Sequence, residues 1–324
     1  MMGNFFNRMY YGKAGKGDYK PEDLPANRMQ LFWEMLRIRW SGVVRVNLFH
    51  LLFFIPAILW TLLNVSVFMS MLQEADGEGV LALQNVDIVF QYLLGMLPCI
   101  AITGPFTAGA TAILRNWARD QHSFFMSDFW DTVKANWKQA LAISAITGVL
   151  PLIVLVCWRF YGSMATSNVL FIVPQMLVMV IGFVWLLSLE LIYPLMITYE
   201  LKLGALIRNA VVLSVGRLPQ SVGIRLISLA PLALGFVVAW FTPWMGYVLL
   251  VLGLFYLIIG FGLNRFIYCS YANTLFDKFI NPRIEGAPMN QGLRQYTDDD
   301  YEVDPTLPQP TNITKLKDKD ANEG

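Results

Sequence analysis

An all-α membrane protein with six transmembrane helices is what this sequence predicts, and three observations carry that prediction. Of its 324 residues 56% are hydrophobic, with a mean hydropathy of +0.50, where a soluble domain is roughly 45–50% apolar. The apolar residues are gathered into long runs of about the ~20 residues that a bilayer core demands. The net charge of +1 is small, but the charges are sharply segregated along the chain.

The runs define spans at Val46–Met69, Ile88–Thr103, Ala140–Trp158, Leu170–Thr198, Val222–Phe241 and Gly246–Ile267. Pro56 lies in the middle of the first. The second is expected to continue as a tilted or broken helix past Gly104-Pro105, since Pro98 and Gly104 also interrupt it. Cytoplasmic loops collect Lys and Arg during insertion, which gives an independent test of the span count. Eight of the 24 basic residues precede or open the first span, four lie between spans two and three, four between four and five, and seven at or after the end of span six. Only Arg159 remains for the other side. The expectation is a multi-pass protein of the bacterial plasma membrane with both termini cytoplasmic. Trp158, Tyr161, Trp240, Trp244 and Tyr247 then fall at the outer interface, where amphipathic rings prefer to sit.

Composition divides the chain into a flexible basic tail over residues 1–28, a six-helix membrane domain over 29–280 and a disordered tail over 281–324 that is too poor in apolar residues to fold alone. The start holds no short apolar core, so no cleaved signal peptide is expected. In the first tail YGKAGKGD brushes against a phosphate-loop pattern, but Lys16 is followed by Gly17 and Asp18 rather than the Ser or Thr that would hold magnesium. Cys99, Cys157 and Cys269 stand singly, as small membrane-helix residues rather than a disulfide or metal framework. Asn64 and Asn312 fit the glycosylation pattern, but one lies in a span and the other in the cytoplasm by this topology.

Two segments ahead of spans repeat each other. Phe32–Trp40 reads FWEMLRIRW and Phe129–Trp137 reads FWDTVKANW, both Phe-Trp-acid-x-aliphatic-base-x-x-Trp. The aromatics fall on one helical stripe while acid and base pair three apart, the pattern of a helix lying in the membrane interface. Each precedes a span with a mid-helix proline, Pro56 or Pro151, and GRLPQSVGIRLISLAP is a weaker third copy ahead of span five. AILRN (ending Asn116) likewise matches ALIRN (ending Asn209). Together these give three hairpins, each entered through a cytoplasmic amphipathic helix. Phe129, Trp130, Val133 and Trp137, with Phe32, Trp33 and Trp40, are the candidate partner-docking residues.

Glu190 is the one carboxylate inside an apolar run, and a buried acid in lipid is a candidate functional group. A structural or interfacial role competes with a coupling role, with Arg45, Arg225 or Arg265 as candidate partners. His50 in span one is read as a hydrogen bond to a neighbouring helix, with a proton relay as the sharper alternative. Pro98, Gly104, Pro105 and Pro194 complete the candidate intramembrane polar site, because unwound helices offer backbone groups to a solute. His122 has no matching ligands around it. No nucleophile, base and orienting group converge, so neither an enzyme nor a cofactor, metal or nucleic-acid partner is expected.

The motifs ITGPFTAGATAILRNWARDQHSFFMSDFWDTVKANWKQ, YPLMITYELKLGALIRNAVVLSVGRLPQS and KGDYKPEDLPANRMQLFWEMLRIR resemble the YesL-like family, a domain-of-unknown-function family of Gram-positive bacterial membrane proteins. Members are often encoded beside carbohydrate ABC-transporter and sensor-kinase genes. The resemblance implies a role around sugar uptake or its regulation, with a transporter or sensor kinase as membrane partner besides the lipid bilayer, and it supplies no catalytic residues. This chain departs from shorter members in its longer basic N-terminus and its acidic C-terminal tail. The function expected is therefore that of a non-enzymatic accessory or regulatory partner of a carbohydrate uptake system; the alternative is a small-solute permease or channel formed by the hairpin bundle.

Overall fold

The structure, a computed structural model, describes residues 24–74 and 86–294, and Pro25–Gly292 form one compact unit. Most of both tails, the YGKAGKGD run and the centre of the acidic loop after span one lie outside the described residues. All regular structure among the described residues is helical. Six helices are long and apolar enough to cross a membrane, at Arg28–Met71, Ile88–Trp117, Phe125–Ala165, Val169–Thr198, Leu218–Phe241 and Met245–Arg283.

Helix α1 (Arg28–Leu51) starts where Asn27 accepts the backbone N–H of Gln30 at 2.9 Å, an N-cap that satisfies one orphan donor of the first turn. A 3₁₀ turn at Leu52–Phe54 separates it from α2 (Ile55–Glu74). Pro56 explains the seam: it has no N–H to bond the carbonyl four residues back, so the chain tightens there and α2 begins with proline in its first turn. Helix α3 (Val86–Trp117) ends in a turn where Asp120 takes a left-handed φ of 55°, a conformation short polar side chains tolerate. Then follow α4 (Phe125–Ala165), α5 (Ile172–Thr198), the short α6 (Leu203–Gly216), α7 (Leu218–Phe241) and α8 (Met245–Phe255). A π-helical turn at Tyr256–Gly260 joins α8 to α9 (Phe261–Phe279).

Two sequence expectations are corrected here. Phe32–Trp40 and Phe129–Trp137 are not separate interfacial helices but lie inside α1 and α4, continuous with the spans that follow. The second helix is not broken at Pro98 or Gly104-Pro105, because α3 runs unbroken through both. The reason sits on α4. Pro105 leaves the carbonyl of Ala101 without its usual helical donor, and the Ser144 hydroxyl donates to that carbonyl at 2.6 Å. A neighbouring helix thereby re-satisfies the freed backbone group, as hydrocarbon surroundings require.

That contact depends on how closely the two helices approach. A Cβ on Gly104 would stand 2.2 Å from the Ala140 carbonyl oxygen, and one on Gly109 would meet the Phe129 ring and Val133 at 2.9 Å. Gly148 in turn faces Leu97, so the contacts run in opposite directions along the two chains and α3 and α4 are antiparallel. Small residues at such a seam are how helices approach in lipid, where apolar side chains gain little by leaving the solvent. The main core gathers Ala108, Ala140, Ile143, Leu191, Leu195, Leu206, Ala272 and Phe276, so one end of α5, α6 and α9 closes on the α3–α4 pair.

Asn47 ties α1 to the π turn. Its amide donates to the carbonyls of Leu257 at 2.7 Å and Tyr256 at 3.2 Å, while its oxygen accepts the Gly262 N–H at 2.8 Å. It thus serves groups whose regular helical partners the π turn displaces.

Two outcomes test this packing. Gly104→Val should abolish recovery of monodisperse protein in mild detergent, since its new Cβ meets backbone that cannot yield; wild-type-like gel filtration would refute the close seam. Asn47→Leu should cost ~1–3 kcal/mol through backbone groups left unpaired, read as a thermal midpoint lowered by several degrees.

Candidate functional site

The polar interior is concentrated where α5, α7 and α9 meet. Glu190 lies eight residues before the end of α5, ~12 Å along the helix at 1.5 Å per residue. Arg225 lies seven residues into α7, at nearly the same depth from the same end. Glu190 is fully buried, with 0% of its surface exposed, and its Oε1 stands 2.9 Å from Arg225 Nε. The two are an ion pair in contact without the alignment of a hydrogen bond. Of the three arginines weighed as partners, Arg225 is the one that reaches it.

The guanidinium is held on its other side as well. Its Nη1 donates to the Tyr268 hydroxyl at 3.0 Å, its Nη2 donates to the Leu186 carbonyl, and its carbon lies 5.1 Å from the Tyr268 ring centre. Tyr268 in turn donates to Ser228 Oγ at 2.7 Å, and Asn264 donates to the Ser228 carbonyl at 3.3 Å. Nearer the end, Ser221 meets the Tyr271 hydroxyl at 2.8 Å. The consequence for α7 is specific. Its buried residues are Ser221 and Ser228, so polar side chains rather than apolar burial fasten it to α5 and α9.

A second polar line runs through the bundle beside it. Buried His50 shares a hydrogen bond of 3.1 Å with the Thr107 hydroxyl, and its ring lies edge-on to Phe54. One turn on, Thr111 donates to the Thr107 carbonyl at 2.6 Å and accepts from Arg265 Nη1 at 2.9 Å. The Arg265 guanidinium also lies over the Tyr193 ring, 5.6 Å from its centre. His50 therefore bonds a neighbouring helix in this geometry. Pro194 sits inside the continuous α5, as Pro98 and Pro105 do in α3, and among the described residues none of these prolines opens an unwound helix.

At the end of α5 the carbonyls released by the helix terminus are met by side chains from α3 and α4. Arg115 Nη1 donates to the Ile197 carbonyl at 2.8 Å and to Thr198 Oγ1 at 3.1 Å, and Gln139 donates to the Leu201 carbonyl at 2.8 Å. A cation there also complements the negative end of the helix dipole. Arg208, the counterpart of Arg115 in the ALIRN motif, is exposed on α6 instead. The two copies thus occupy unlike surroundings.

The aromatic stripes differ only at their first position. Phe129 and Val133 are 1% and 8% exposed, against Gly109 and the rings of Phe49 and Phe53. They are core residues, which corrects their assignment as docking residues. Gly109, having no side chain, leaves the room they occupy. Trp130 and Trp137 remain exposed, with Asp131, Lys134 and Lys138 also on the surface. On α1 Leu36 is buried like its counterpart Val133, Phe32 is half-buried where Phe129 is core, and Trp33 and Trp40 are 61% and 49% exposed. With Met29, Phe32 and Leu36 they form one wall of an apolar groove of about 580 Å³, whose other walls are Ile224, Ile227 and Pro231 on α7 and Leu263, Ile267 and Tyr271 on α9.

Sequence reasoning missed Asn47, Thr111, Ser144 and Arg115 as structural polar groups. An Asn within an apolar run was the available signal for the first; the others needed a partner on another helix.

This architecture defines a multi-pass, all-helical membrane protein. A protein-family model described as "Protein of unknown function, DUF624" matches residues 43–158, about a third of the chain. The matched segment takes in Asn47, His50, Pro105, Arg115 and Ser144 and stops short of Glu190 and Arg225. No curated protein and no solved structure matches the chain.

The ion pair is open to a double-mutant cycle. Glu190→Leu or Arg225→Met alone should each cost ~3–5 kcal/mol by leaving one buried charge unpaired. The double variant should cost less than the sum, measured as thermal midpoints in detergent; strict additivity would show that the two charges are not coupled.

Proposed function

We propose that this protein is a YesL-like, non-enzymatic accessory or regulatory subunit of a carbohydrate uptake system in a Gram-positive plasma membrane. In this reading its spans form three hairpins with both termini cytoplasmic, as the distribution of Lys and Arg favours. It engages a transmembrane helix of an ABC-transporter permease or a sensor kinase. The observation that carries the reading is the groove between α1, α7 and α9, where Trp33 and Trp40 stand exposed beside an apolar trough. Aromatic anchors lining a groove are the surfaces that helices dock against.

The permease alternative leaned on unwound helices at Pro98, Gly104-Pro105 and Pro194, and those helices are continuous. It has therefore lost the feature that favoured it.

A photo-reactive phenylalanine analogue placed at Trp33 or Trp40 should crosslink in native membranes to a transporter permease subunit or a sensor kinase. Trp33→Ala with Trp40→Ala should lower co-purification of that partner by about tenfold, ~1.4 kcal/mol, whereas Trp130→Ala with Trp137→Ala should leave it unchanged. Equal recovery from the first pair and wild type would overturn the docking assignment.

A further inference from the structure

A second cavity, of about 790 Å³, lies at the adjoining ends of α5, α6 and α9. Its lining includes Tyr199, Glu200, Val212, Arg217, Phe279 and Arg283, within the range of about 300–1,000 Å³ typical of ligand sites. Its position follows from three helix ends. Helix α5 stops at Thr198, α7 starts at Leu218 and α9 stops at Phe279, and the lining residues are those immediately beyond these termini or on the intervening α6. The end of α5 at Thr198 is also the end of its span, which lies at headgroup depth. Val212, Val215 and Leu218 are exposed beside the mouth, an apolar rim suited to acyl chains rather than water.

The chemistry of the lining is specific. Arg217 rests on the Phe279 ring, 4.9 Å from its centre. Neither it nor Arg283 is paired with a carboxylate among the described residues. Tyr199 is fixed by donating to Asn281 Oδ1 at 2.6 Å, and burial pushes its phenol up to about 12, so it remains a neutral wall of the site. Glu200 is the one acid in the lining, which leaves the cavity a formal charge of +1 from two arginines and one glutamate. Guanidinium groups bind phosphate through paired N–H donors, and basic pockets between transmembrane helices hold lipid headgroups.

We propose that this cavity binds a monoanionic glycerophospholipid with a hydroxyl-bearing headgroup. Arg217 and Arg283 hold the phosphodiester, Glu200 accepts from a headgroup hydroxyl, and an acyl chain lies along Val212, Leu213, Ile280 and Ile284. The single charge of the phosphodiester balances the +1 of the site, and the carboxylate selects against a second phosphate.

The test is native mass spectrometry of the full chain in detergent, titrated separately with phosphatidylglycerol and phosphatidylcholine. Wild type should bind phosphatidylglycerol about tenfold more tightly; equal binding would overturn the proposal. Arg217→Gln with Arg283→Gln should erase the preference, while Arg208→Gln, an exposed cation on the same short helix outside the cavity, should keep it. Should the double variant lose its helical circular dichroism, Val212→Trp, which fills the mouth and removes no charge, should lower phosphatidylglycerol binding alone; unchanged binding there refutes the site. Displacement of the lipid by millimolar glycerol 3-phosphate would also overturn the lipid assignment, in favour of a soluble phosphate ligand.

Discussion

The contact on which the arrangement of the second half depends is that between Glu190 and Arg225. In lipid an apolar helix gains little by leaving hydrocarbon for another apolar surface, so directional polar contacts decide which helices stay together. Helix α7 shows the consequence directly, since its buried residues are two serines and its remaining faces are largely exposed. Its position is set by the ion pair, by Tyr268 and Ser228, and by Tyr271 and Ser221. An unpaired buried charge is costly, so each member holds the other in place. The groove beside α1 exists because α7 is fastened along this one polar edge and does not close against α1.

The same shortage of water governs the backbone. Hydrocarbon offers no donor to a carbonyl freed by proline and no partner to the carbonyls and the N–H displaced by a π turn. Ser144 answers the first case at Ala101 and Asn47 the second at Tyr256, Leu257 and Gly262. Arg115 and Gln139 answer a third at the end of α5. Each of these side chains comes from a different element than the group it serves, so one change of side chain disturbs two elements.

This is also why some features were legible in the sequence and others were not. The six apolar runs and the acid inside the fourth follow from composition and length, which are local properties. Whether a proline breaks its helix is not local. Pro56 coincides with a 3₁₀ seam, whereas Pro105 does not break α3, and the difference lies in a serine 39 residues further along. The aromatic stripes carry the same lesson. FWEMLRIRW and FWDTVKANW share their pattern, and both keep their tryptophans exposed and their aliphatic residue buried, yet Phe129 packs into the core against Gly109 while its counterpart Phe32 lines an open groove. Pattern identified the residues; the facing helix decided what they do.

The π turn at Tyr256–Gly260 has a consequence for how the last span can vary. One residue beyond α-helical register rotates everything after it by ~100°, given 3.6 residues per turn. Gly262, Arg265 and Cys269 face α1 and α3 only because that extra residue is present. The stretch from Met245 to Ile258 is almost wholly apolar and largely exposed, so it tolerates exchange of one aliphatic side chain for another. It does not tolerate a change in their number. For this segment length carries the information that composition does not, and homologous chains should vary freely in its letters while conserving its count.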